Sequence, residues 1–121
     1  MTGVSSFDHI ALAVPDLNEQ IERFTTSLGM VLIQRQADVY ALVGDPVSGF
    51  KIELSRSDDG EAHFRHLGFT TPDVDADHDA LVDAGMTSTE PPHRREFARM
   101  RTAFLKESSG LEVQLVDYDK P

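Results

Sequence analysis

The chain of 121 residues contains no cysteine. Disulfides, thiolate nucleophiles and zinc–sulfur sites are thereby excluded, and a cytoplasmic address is the default expectation. Long apolar runs are missing too. Stretches such as Ile10 to Val14 and Met30 to Ile33 are far too short to cross a bilayer, so no membrane partner is expected. No basic, then apolar, then small-residue pattern opens the chain, as a secretory signal would require. Positive charge is scarce: 11 Lys and Arg stand against 21 Asp and Glu, for a formal net charge of −10. A nucleic-acid binder needs a dense cationic face to replace phosphate counterions, so no nucleic-acid partner is expected either. The basic cluster of His93, Arg94, Arg95, Arg99 and Arg101 has two readings. It is a solvated loop and strand edge, or a local anchor for an anionic group of a small substrate. The remaining acidity serves solubility.

What is present is a repeat. Phe7-Asp8-His9-Ile10 is matched by Phe64-Arg65-His66-Leu67, and Val14-Pro15-Asp16 by Thr71-Pro72-Asp73, both at an offset of 57. Leu28-Gly29-Met30 is matched by Ala84-Gly85-Met86 at 56, and the segment from Ser48 to Leu54 by that from Ser109 to Leu115 at 61. Four matches in one order indicate two copies of one unit within a single domain, 1–121. Module one covers about 5–57 and module two about 62–118. Alternation predicts strands at Phe7 to Val14 and Phe64 to Thr71. Asp16, with Glu19 as capping-box partner, and Asp73 open helices that Gly29 and Gly85 close. Leu17, Ile21, Phe24 and Leu28 form the apolar stripe of the first helix, and Val74, Leu81 and Ala84 a weaker one in the second. Three strands follow in each module, near 30–36, 38–44 and 50–55, then 86–89, 99–106 and 111–117, with Pro91-Pro92 marking a loop. The expected fold is α+β: two βαβββ modules related by an internal pseudo-twofold and packed together, since neither can bury both faces of its sheet.

Strand parity then sorts the side chains. Ile10, Leu12 and Val14 oppose His9, Ala11 and Ala13, and Phe50, Ile52 and Leu54 oppose Glu53. Leu67 and Phe69 oppose His66 and Gly68, while Leu111, Val113 and Leu115 oppose Gln114. With the apolar parity under the helices, His9, Glu53, His66 and Gln114 project from faces otherwise lined by small residues. Ala11, Ala13 and Gly68 leave room in front of the histidines, as a concave site requires. Two imidazoles, a carboxylate and an amide oxygen suit one divalent ion among Mn, Fe, Co, Ni and Zn, with water completing the shell.

On these residues the chain resembles the glyoxalase, bleomycin-resistance and extradiol-dioxygenase group, the vicinal oxygen chelate superfamily. The resemblance rests on His-Ile-Ala-Leu from His9, Lys-Ile-Glu-Leu at 51–54, His-Leu-Gly-Phe at 66–69 and Gly-x-x-Val-Gln-Leu at 110–115, and covers Phe7 to Tyr118. It implies a curved mixed sheet around one metal, often in a homodimer. Glyoxalase I-like members carry carboxylates at the ends of both modules, where this chain has Glu53 and Gln114. Methylmalonyl-CoA epimerase-like members use two His, one Glu and one Gln with Glu in the last strand, which is the mirror arrangement. Extradiol dioxygenases share two His and one Glu, but their Tyr and Asp-Pro signature is replaced by Phe104 and Glu107-Ser108.

The leading expectation is glyoxalase-like lyase or isomerase chemistry: proton transfer next to a carbonyl of a small molecule, through a metal-stabilised enediolate. Glu53, the one carboxylate among the four, would be the base. Gln114 would be a neutral ligand or an amide donor, and Arg99 or Arg101 would meet an anionic tail. Tyr40 and Phe104 are read as cavity wall or core. The alternatives are a non-haem Fe(II) dioxygenase and a resistance or binding protein without catalysis.

Overall fold

Alternating side chains and paired turn signals produce eight strands and two helices in the computed structural model, which describes Gly3, Val4 and residues 6–121. In chain order these are β1 (Ser6–Val14), α1 (Leu17–Glu22), β2 (Val31–Gln36), β3 (Tyr40–Gly44), β4 (Lys51–Arg56), β5 (His63–Thr70), α2 (Val74–Asp83), β6 (Thr87–Arg95), β7 (Met100–Lys106) and β8 (Glu112–Tyr118). The order is βαβββ twice, as the repeat predicts. The strands form one mixed sheet in the order β2-β3-β4-β1-β5-β8-β7-β6. β1 is parallel to β4 and β5 to β8; the ladders β2/β3, β3/β4, β6/β7 and β7/β8 are antiparallel. No helix among the described residues is long and apolar enough to cross a membrane.

The chain divides into two compact units, His9–Arg65 and Met1–Asp8 with His66–Pro121. In the first, Val14, Leu17, Ile21, Ala41 and Leu54 form the core, with Leu12, Phe24 and Ile52 packed against it. Leu54 is fully buried, which is worth about 1.5–3 kcal/mol in apolar transfer. Asp16 caps α1, its Oδ1 accepting from the Glu19 N–H at 3.0 Å. The other half of the expected capping box is absent, because Glu19 pairs with Arg23.

The helix does not carry its stripe as far as Leu28. From Arg23 to Ser27 it widens into a π turn, with the Leu28 N–H donating to the Arg23 carbonyl, five residues back, at 3.1 Å. The extra residue in that turn shifts the phase of the helix face beyond it, and Leu28 is left 69% exposed. Phe50, expected to share the face of Ile52 and Leu54, precedes β4 and is exposed.

In the second unit Val74, Ala103, Leu105 and Leu115 are the core, with Phe69, Leu81 and Met86 against it. Asp73 caps α2 by accepting from the Ala76 N–H at 3.0 Å. Buried His78 ties this helix to β6 through Ser88 Oγ, 2.7 Å from its Nε2. The start of the chain belongs here too. The Gly3 N–H donates to Asp77 at 2.7 Å, the hydroxyls of Ser6 and Thr70 meet at 2.8 Å, and Tyr118 donates to Asp8 at 2.6 Å. Phe7 stands edge-on to Phe69, 5.6 Å between centroids.

Pro91-Pro92 is not a loop. Both prolines lie inside β6, last in the strand order, where the register shifts on either side of Glu90. A proline has no N–H for a ladder, and an outer strand with bulges accommodates that lack.

Candidate metal centre

His9 enters its site from the middle of β1, and register determines what it meets. On the parallel neighbour β4, His9 stands opposite Lys51 and Ala11 opposite Glu53. His9 and Glu53 are therefore diagonal neighbours on one face, opposite in parity to Leu12, Val14, Ile52 and Leu54 in the core. His9 is 2% exposed, and its Nε2 lies 3.5 Å from Glu53 Oε2. Tyr40 shares the Glu53 face: Leu42 pairs with Glu53 and Tyr40 with Ser55, and Tyr40 is half-buried at the end of its row.

The second unit repeats that register. Gly68, two residues after His66, is opposite Gln114, just as Ala11, two after His9, is opposite Glu53. Small side chains at both positions keep the space beside each ligand candidate open. His66 is buried and meets Phe104 edge-on, 5.0 Å between ring centroids. Phe104 is itself buried and pairs with Gln114 across the β7/β8 ladder.

Thr102, which parity places beside Phe104 and Gln114 on this face, decides how the Gln114 amide is turned. Its hydroxyl donates to the Leu115 carbonyl at 2.7 Å, which uses its single proton. The oxygen can then only accept, and Gln114 Nε2 donates to it at 2.9 Å. Oε1 consequently points away from Thr102. It is buried and has no hydrogen-bond partner among the described residues. Leaving such an oxygen unsatisfied costs about 1–3 kcal/mol, and a cation at that position would remove the cost. Sequence reasoning missed Thr102, although its place two residues before Phe104 on β7 was readable.

The arginines stand elsewhere. Arg101 differs in parity from Thr102 and Phe104, and its guanidinium is bidentate to Asp75 of α2 at 2.6 and 2.7 Å. That hydrogen bond holds the Asp75 carboxyl below its ordinary pKa. Arg99 occupies the hairpin before β7 with φ +51°, three-quarters exposed and 3.9 Å from Asp119.

Comparison with known proteins agrees with this fold. A probable lactoylglutathione lyase of Vibrio cholerae is 28% identical over 121 residues, covering 89% of this chain and 87% of its own. The crystal structure of methylmalonyl-CoA epimerase from Mycobacterium tuberculosis superposes with a TM-score of 0.86 at 25% identity, covering 99% of this chain and 92% of that one. An epimerase variant from Streptomyces coelicolor, in complex with 2-nitronate-propionyl-CoA, has the same fold, with a TM-score of 0.80 at 23% identity over 97% of this chain and 99% of that one. Residues 6–115 match the family model described as Glyoxalase/Bleomycin resistance protein/Dioxygenase superfamily, and the chain belongs to that superfamily.

Proposed function

We propose that the protein is a divalent-metal-dependent enzyme that moves a proton at a carbon next to a carbonyl, with His9, Glu53, His66 and Gln114 holding the metal. The observation that carries this reading is the buried Gln114 Oε1, turned away from Thr102 and without a donor among the described residues. His9 and Glu53 support it, with Nε2 of the one 3.5 Å from Oε2 of the other, and His66 repeats the place of His9 in the second module. Neutral imidazoles and oxygen donors suit a first-row divalent ion. Bound there, such an ion supplies Lewis acidity to a carbonyl, which makes the adjacent C–H more acidic.

The protein's own groups divide the remaining work. Glu53 is the only carboxylate of the four and is 22% exposed, so substrate can reach it. It takes the proton from the carbon and returns it. Gln114 has no proton to exchange and serves as a neutral oxygen donor. Buried His9 and His66 hold position. The substrates that name the relatives, lactoylglutathione and methylmalonyl-CoA, are acyl thioesters with a hydrogen-bearing carbon beside the carbonyl, and an acyl thioester is the substrate class we assign.

The test is metal analysis with solvent exchange. Protein from metal-supplemented expression should hold about one ion per chain, lost in His9→Ala and His66→Ala. In D2O without oxygen it should place deuterium on the α-carbon of one of these thioesters, and Glu53→Gln should stop the exchange. Absence of any bound ion would sink the reading, and oxygen uptake with a catechol would replace it by a dioxygenase. We also propose a homodimer. The outer strand β2 leaves Val31, Leu32 and Ile33 exposed, an apolar edge of the kind that pairs. Sedimentation showing a monomer at micromolar concentration would overturn that part.

A further inference from the structure

The basic cluster separates cleanly once β6 and β7 are aligned. His93 pairs with Thr102, Arg94 with Arg101 and Arg95 with Met100. Thr102 is the residue that orients Gln114, so His93 and Arg95 share the Gln114 face, while Arg94 and Arg101 share the opposite one. The opposite-face pair is neutralised: Arg101 is bidentate to Asp75, and Arg94 is bidentate to Asp119 at 2.7 and 2.6 Å. On the Gln114 face, two nitrogen bases share one carboxylate. Glu90 Oε2 accepts from Arg95 Nη2 at 3.0 Å and lies 3.0 Å from His93 Nε2.

The surroundings of His93 fix its part in this group. Its Nδ1 is 2.9 Å from the Pro91 carbonyl, which can only accept. Both ring nitrogens therefore face acceptors. Arg95 lies over the Phe104 ring, its Cζ 5.3 Å from the centroid, and Phe104 meets His66 edge-on. The Arg95 side chain is 42% exposed, and of its guanidinium nitrogens only Nη2 is engaged among the described residues.

We propose that Arg95, held by Phe104 and Glu90 and flanked by His93, anchors an anionic group on the substrate. This rests on the metal-site reading above and narrows its substrate class to an acyl compound that carries a carboxylate away from the reacting carbon. A planar guanidinium with a free edge matches a carboxylate by paired N–H···O bonds, which a lysine would not reproduce. The aromatic face beneath it fixes the plane of the fork.

Matched chelators test the anchor without knowledge of the substrate. Acetohydroxamate binds a metal through two neighbouring oxygens and has no second charge; the monohydroxamates of succinate and glutarate add a distal carboxylate. With metal-loaded protein, calorimetry should show at least one carboxylated probe binding about tenfold more tightly than acetohydroxamate, a preference that salt weakens. Arg95→Ala should abolish the preference while leaving acetohydroxamate affinity and metal content unchanged, and Arg95→Lys should restore only part of it. Arg94→Ala, on the opposite face, should retain it in full. A preference that survives Arg95→Ala, or none in the unaltered protein with either chain length, overturns the proposal. Failure of acetohydroxamate itself to bind the loaded protein overturns the metal reading instead, and the anchor with it.

Discussion

In the first module the histidine of the opening strand has a carboxylate beside it, His9 with Glu53 at 3.5 Å. In the second, the equivalent strand end carries an amide, Gln114, with one atom committed to Thr102. The backbone frames match, since Ala11 opposes Glu53 as Gly68 opposes Gln114. The copies thus retain register and diverge in chemistry: the strand end is a carboxylate in one half and an amide, which has no proton to exchange, in the other. A neutral amide also leaves more of a bound ion's positive charge uncompensated than a second carboxylate would, which favours an anionic ligand.

Making the modules alike is the strongest test of that difference. Glu53→Gln gives both modules an amide, and α-proton exchange should fall about 10²–10⁴-fold, the range for losing a general base, measured by deuterium incorporation. Next in size are the cores. Leu54→Ala and Leu115→Ala remove fully buried side chains at equivalent positions, and each should cost about 2–5 kcal/mol in urea unfolding. A large loss at only one of them would show that the copies are not packed alike.

Gln114→Glu is a smaller perturbation. A carboxylate oxygen would face the Thr102 oxygen, whose proton remains on Leu115, so metal-free protein should lose about 1–3 kcal/mol in thermal unfolding with chelator present. The same variant should bind the carboxylated hydroxamates less tightly. Arg101→Ala should have the least effect. Arg101 lowers the Asp75 pKa by its hydrogen bond, so the pair stabilises the fold fully above the ordinary value of 3.8 and loses that contribution as pH falls through the lowered one. The variant should therefore be slightly less stable than the parent at pH 7, and the difference should close as pH falls below about 4.

The repeat and the strand parity were legible because β1, β4, β5 and β8 alternate without interruption and carry small residues beside the polar ones. The π turn was not, because Leu28 falls on the apolar stripe in sequence and is removed from it only by hydrogen bonds five residues long. Prolines concealed β6, whose two register shifts also hide from simple alternation that His93 and Arg95 share a face with Thr102. The opposition of Arg101 and Phe104 needed only a count along β7. The direction of the Gln114 amide could not be counted at all, since it depends on where Thr102 sends its proton.

Ser6 and Asp8 stand at the start of the first copy in sequence, yet their partners are Thr70 and Tyr118, and Gly3 is held by Asp77. A fragment beginning near residue 62 would be expressed without the strand that those hydroxyls and that carboxylate expect. The opening residues that the sequence counts with the first copy thus serve the second.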